Sequence, residues 1–163
     1  MPQNELHHTA AAGDAADVDD LLRDRPEFAK EADEHGRCPL HFAAREGHAD
    51  VVKILLRACP EAARMTDNVG TPLHKAAATY GYGDAVKLLV AAWPEAASMA
   101  DNGGRTPLHW SAAKGDADAA KLLLRAYPEA AKRKDDDGTP ADLASKHKQG
   151  DWEAVVALLN RCK

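Results

Sequence analysis

Apolar residues along the chain fall in short runs of helical spacing, each closed by glycine or proline. After Gly47, the positions Val51, Val52, Ile54, Leu55 and Leu56 make the apolar face of one short helix. Leu40, Phe42, Ala43 and Ala44 make another before it, with Arg45 and Glu46 on the outer side. Val18, Leu21 and Leu22 repeat the second pattern after Gly13, and Leu6-His7 stands 34 residues before Leu40-His41. Pro39 fits the first helical position, where its missing N–H costs nothing. Asn4 is the expected N-cap of the first helix, with Glu5 in its first turn. The elementary unit is therefore two short antiparallel helices and a turn.

That unit recurs. Asp33, Asp67, Asp101 and Asp135 lie 34 residues apart, as do Gly36, Gly70, Gly104 and Gly138. A second glycine series runs Gly13, Gly47, Gly81, Gly115 and slips by one residue to Gly150. Pro-Glu-X-Ala begins at Pro26, Pro60, Pro94 and Pro128 without a slip. Independent landmarks in one register predict an all-α solenoid of stacked helix pairs. The expected units are 1–32, 33–66, 67–100, 101–134 and 135–163, forming one domain. Two of them are edited: Thr71 follows Gly70 directly, one turn residue short, and Ala78-Thr79-Tyr80 restores the count before Gly81. The last unit drops the same turn residue and puts Asp142 where the others carry histidine. A polar, degraded final unit suits a terminal cap, so the solenoid is not expected to extend past Lys163.

The string Asp-X-X-Gly-X-Thr/Cys-Pro-Leu-His-X-Ala-Ala-X-X-Gly resembles the ankyrin repeat, most specifically at Thr71-Pro72-Leu73-His74 and Thr106-Pro107-Leu108-His109. The resemblance spans nearly the whole chain. It implies protein–protein recognition on a concave face formed by turn tips and the exposed ends of the inner helices. Carried over position by position, that surface is Glu34, His35, Arg37, Arg45 and Glu46, then Asn68, Val69, Thr79 and Tyr80. Asn102, Gly103, Arg105 and Lys114 follow, and then Asp136, Asp137 and Lys146. Cys59-Pro60, Trp93-Pro94 and Tyr127-Pro128 replace the glycine usual after the outer helix. Pro-Glu-Ala-Ala is then expected to start a short helical turn, which puts an ordinary finger hairpin in question.

Composition narrows the function. Among 163 residues, 45% are hydrophobic but only 5% aromatic, which suits alanine-rich, closely packed helices. A formal charge of -5 lacks the basic footprint of a nucleic-acid binder, and Lys132-Arg133-Lys134 is cancelled by the acids that follow. Cys38, Cys59 and Cys162 are too few and too scattered for a disulfide framework, so a reducing, intracellular and cytoplasmic setting is expected. No apolar run reaches the length of a membrane span, and the N-terminus does not read as a signal peptide.

Candidate chemistry is sparse. His41, His74 and His109 sit one unit apart, and packed helices are about 8–10 Å apart, too far for one zinc ion. The resemblance makes them structural, bonding the turn threonine and nearby backbone. His7-His8 reads as a surface pair, and Asp19-Asp20 and Asp135-Asp136-Asp137 read as solvated charge. No nucleophile stands beside a base, so neither catalysis nor a cofactor or metal is expected. Arg37 and Arg105 occupy one turn position two units apart, roughly 20 Å by helix packing, and are candidates to hold an acidic stretch of a partner; ordinary solubilising charge is the plainer reading. Tyr80 and Tyr82, flanking Gly81, are candidate contact residues. In the column His8, Phe42, Lys75, Trp110, Leu143, the two aromatics read as half-buried packing and Lys75 as a cation-π partner or groove floor. Trp93 and Tyr127 read as packing between units. The expected activity is that of a monomeric protein-binding scaffold. The alternatives are an engineered or selected binder, against which the irregular edits argue, and a substrate-recruiting fragment of a larger enzyme or receptor.

Overall fold

The computed structural model describes residues 3–161, with side chains from residue 5; Cys162 and Lys163 lie outside the described residues. Helices α1 (Gln3–Ala12), α3 (Pro39–Glu46), α5 (Pro72–Ala77), α7 (Pro107–Lys114) and α9 (Pro140–His147) stack into an inner layer. Helices α2 (Ala15–Asp24), α4 (Ala49–Ala58), α6 (Gly83–Ala92), α8 (Ala117–Ala126) and α10 (Trp152–Asn160) stack behind them as an outer layer. Asn4 falls inside α1, not ahead of it, so it is not that helix's N-cap. Its side chain is outside the described residues.

Each Pro-Glu segment forms the expected short helical turn, at Pro26–Lys30, Pro60–Arg64, Pro94–Ser98 and Pro128–Lys132. Proline ends the outer helix by lacking the N–H its ladder needs, then starts the turn from the position where none is required. The finger is correspondingly small. The N–H of Asp33 donates to the carbonyl of Arg37 (3.0 Å) and that of Asp101 to Arg105 (2.8 Å). In the two shortened turns Asp67 and Asp135 reach instead to Gly70 and Gly138, both at 3.0 Å.

Stacking buries what one helix pair leaves open. Leu40, Leu73 and Leu108 form one fully buried inner row. In the outer row Leu55, Leu89 and Leu123 are buried, but Leu21 is only half-buried because no earlier pair covers it. Phe28 does part of that work. It stands where Ala62, Ala96 and Ala130 lie buried in later units, so a large ring at the end of the described stack takes the place of a neighbour. Arg25 lies over it, 5.1 Å from the ring centroid. Trp93 and Tyr127 pack half-buried against the core, as their position before proline implies.

Leu89→Ala is expected to cost about 3 kcal/mol, within the range for buried leucines, and Leu21→Ala about 1 kcal/mol or less. Urea denaturation of the two variants tests this; equal losses would mean that the row has no open end.

Candidate protein-binding surface

The turns are built around one aspartate each. Asp33 Oδ1 accepts the backbone N–H of His35 and of Arg37, both at 2.9 Å. Asp67, Asp101 and Asp135 repeat this hold on their own turns. The other carboxylate oxygen takes a different side chain in every unit. Arg37 pairs with Asp33 (2.6 Å), Lys75 with Asp67 (2.7 Å), and the Trp110 indole N–H donates to Asp101 (2.8 Å). Asp135 takes Arg105 from the turn before it (2.8 Å), and Arg105 also bonds Asp137. The third unit has lost the arginine position, and Lys75 supplies the missing cation from the inner helix.

Electrostatics follow from these pairs. Burial works to raise the Asp33 carboxyl, but the Arg37 guanidinium and the backbone donors outweigh it and bring it down to about 2. Asp67 is lowered in the same way by Lys75 and its turn amides, against the same burial. Hydrogen bonding to Asp135 is the chief reason Arg105 is held above the usual guanidinium range.

Both arginines that were candidates to hold an acidic partner are therefore paired with the chain's own acids. Each guanidinium also covers an aromatic ring, Arg37 over Phe42 at 4.7 Å and Arg105 over Trp110 at 5.1 Å. Arg45 also lies over Phe42 (5.7 Å) and pairs with Glu46 (2.8 Å). Phe42 and Trp110 are half-buried, as expected of that column; Lys75, read as a cation-π partner or as groove floor, reaches the turn carboxylate. The physical reason is that Asp67 is almost fully buried there and needs a counter-charge.

The motif histidines hold the turns to the helices. Thr71 and Thr106 cap α5 and α7, each donating its N–H to Nδ1 of the histidine three residues on (3.1 Å), with the hydroxyl 2.9 Å from the same nitrogen. Cys38 replaces threonine before α3, with Sγ 3.2 Å from His41 Nδ1, and burial pushes its thiol up to about 11. On the far side the ring reaches into the next unit. His41 Nε2 is 3.3 Å from the Gly70 carbonyl and His74 Nε2 is 3.2 Å from that of Arg105. A carbonyl only accepts, so the proton sits on Nε2 and Nδ1 is free to receive the cap. His109 Nε2, buried in the same way, has no hydrogen-bond partner among the described residues. Asp142 keeps the cap in the last unit, accepting the Thr139 N–H at 2.8 Å.

His7 corrects the reading of a surface pair. It is buried, and its Nε2 lies 3.0 Å from the Arg37 carbonyl, as the motif histidine of the first unit; only His8 is exposed. The signal was present in its offset of 34 from His41.

The expected contact residues separate into groups. Asn68, Val69, Asn102, Gly103, Arg105, Asp136 and Asp137 line one cleft of about 330 Å³ on the turn side, with Trp110, Asp101 and Asp135. Lys146 reaches it through Asp137 (2.7 Å). Glu34 and His35 sit exposed on the preceding turn, beside Arg37. The Asn68 N–H donates to the His35 carbonyl (3.2 Å) and the Asn102 N–H to that of Val69 (3.3 Å), which ties the turns in sequence. Thr79 and Lys114, by contrast, lie at the far ends of α5 and α7, where the Thr79 hydroxyl reaches back toward the Arg45 carbonyl (3.5 Å). The two tyrosines diverge. Tyr82 is half-buried on Gly47, whose added Cβ would meet the ring at 2.4 Å, so it packs between units. Tyr80 is 52% exposed and turns the other way, toward Asp151.

No helix among the described residues is long and apolar enough to cross a membrane. A family model described as ankyrin repeats, in three copies, matches residues 6–96 and 73–163. No curated protein matches the sequence significantly. Ankyrin repeats are generally protein–protein interaction modules and typically non-catalytic. Two overlapping matches that leave out only the first five residues, together with histidine-capped turns on stacked helix pairs, show that the chain belongs to the ankyrin repeat family.

Proposed function

We propose that the chain is a single array of five repeats that binds a partner protein through its turn side and inner helices, recruiting the partner without reacting with it. The observation that carries this reading is the cleft lined by Asn68, Val69, Asn102, Asp136 and Asp137. Val69 is 45% exposed there, and an aliphatic side chain at a turn tip contributes little to the stack it hangs from. Polarity favours a basic partner segment over an acidic one. Arg37, Arg45, Lys75, Arg105 and Lys146 are all paired with acids of the chain. Among the described residues Asp136 has no such cation, and Glu34 faces His35 at 3.6 Å, a partner that counts when protonated. A segment with lysine or arginine beside an aliphatic residue fits both features. The protein is read as a monomer of a reducing, intracellular compartment, in keeping with its free, buried Cys38 and Cys59.

Affinity capture from source-cell lysate tests the reading with folded variants side by side. Proteins retained by the wild type should be lost by Val69→Asp, weakened about tenfold by Asp136→Lys, and kept by Glu153→Lys on α10. Retention that is indifferent to Val69→Asp and Asp136→Lys would remove this surface from consideration, and loss only with Glu153→Lys would move recognition to the outer helices.

A further inference from the structure

Two irregularities of the sequence meet in space. Counted from the proline that starts the inner helix, the third unit is longer than the second and fourth before its glycine, with Tyr80 at the tip of that segment, and the fifth is longer still before Gly150. Between them in the stack lies the fourth unit, whose corresponding loop is Gly115-Asp116. Tyr80 passes over that loop. Its ring covers Gly150, where an added Cβ would sit 2.7 Å from the ring edge, and its hydroxyl donates to Asp151 Oδ2 at 3.3 Å. The 149–151 segment is in turn pressed onto the fourth unit, with the Asp151 N–H donating to the Gly115 carbonyl at 2.9 Å. The third unit's next residue joins the same knot: the Gly81 N–H donates to Asp116 Oδ2 at 2.8 Å.

Asp151 gives an independent sign that this contact is specific. It occupies the N-cap of α10. Asp14 and Asp116, in the same place ahead of α2 and α8, turn their carboxylates inward to accept the N–H of Asp17 and of Ala119. The Asp151 carboxylate makes no cap bond and faces Tyr80 instead. A cap is worth on the order of 1 kcal/mol, so the helix forgoes a common stabilising bond while the carboxylate serves another unit.

Solenoid units ordinarily touch only their neighbours, which lets a terminal unit open by itself. We propose that Tyr80 is a latch that joins the third unit to the fifth across the fourth, so that α9 and α10 open together with α5–α8 and do not fray alone. The ring on Gly150 supplies the apolar part of the latch and the hydroxyl on Asp151 supplies its register. The latch also explains why both insertions lie on the same edge of the stack: either alone would leave a bulge with nothing to meet.

Native-state hydrogen exchange on the full chain, read by mass spectrometry, tests this with Tyr80→Ala and Tyr80→Phe. Tyr80→Ala should speed exchange in α9 and α10 by about tenfold and leave α1–α4 within about twofold of the wild type. Tyr80→Phe keeps the ring and loses the hydroxyl, so it should give a smaller acceleration in the same two helices. Unchanged protection of α9 and α10 in Tyr80→Ala would overturn the latch, as would acceleration spread evenly over all ten helices. Should Tyr80→Ala fail to fold, the same two criteria are read from Tyr80→Phe.

Discussion

Gly115→Ala is expected to lower stability by at least about 4 kcal/mol, an unusual loss for one added methyl group. Gly115 closes α7 at φ 69°, a left-handed conformation that disfavours a side chain, and the added Cβ would fall 1.7 Å from the Gln149 carbonyl oxygen and 2.6 Å from its carbon. Backbone cannot swing aside as a flexible side chain can. The 149–151 segment would have to lift, which breaks the Asp151-to-Gly115 bond and withdraws Gly150 from beneath Tyr80. Gly81→Ala is the matched control. Gly81 has a similar φ of 88° but open space around it, so only the backbone strain of about 1–2 kcal/mol should appear. Urea denaturation compares them, and hydrogen exchange should locate the Gly115→Ala damage in α9 and α10. Equal losses in the two variants would mean that the last unit does not rest on Gly115.

The sequence alone carried the architecture because the architecture is periodic. Landmarks at 34-residue offsets place Leu40, Leu73 and Leu108 in one row without knowledge of any contact, and all three are buried. The same arithmetic placed His7, yet its neighbour His8 made it look like a surface pair; register was the stronger signal. What the period does not encode is any contact that differs from unit to unit. Arg37 and Arg105 are equivalent in sequence, but one folds back on Asp33 and the other reaches forward to Asp135, because Trp110 already occupies Asp101. Side-chain reach decides this, and spacing does not report it. The two insertions are equally visible as edits, while their meeting across an intervening unit depends on which way Tyr80 turns from its loop. The cleft below Val69 falls between these cases: its turn positions were legible, but its acidic surplus appears only once the cations are paired.

Stability is expected to fall as pH drops below about 6.5, well before carboxylate protonation begins, and the motif histidines are the reason. Burial brings His41 down to about 4, and also lowers His74 and His109. A histidine whose folded pKa lies below its unfolded value binds its proton more readily when the chain unfolds, so acid favours the unfolded state. For His41 the contribution is complete above about pH 6.5, declines as pH falls toward 4, and is gone below that. For His41 the difference between 6.5 and about 4 amounts to about 3 kcal/mol, with His74 and His109 acting in the same direction. Protonation is costly because each ring is enclosed between its cap and the next turn, and Nδ1, which accepts the N–H of Cys38, Thr71 or Thr106, would become a second donor facing a donor. Asp33, brought down to about 2, adds its own loss only below about pH 3.8. Urea midpoints at pH 7, 6, 5 and 4 should therefore fall once the pH passes below about 6.5 and keep falling to 4, and in the folded protein the imidazole NMR signals of His41 should not titrate between pH 7 and 5.5. Midpoints flat from pH 7 to 5 would mean that these rings accept protons in place, and the account of the turns as histidine-locked units would fail with them.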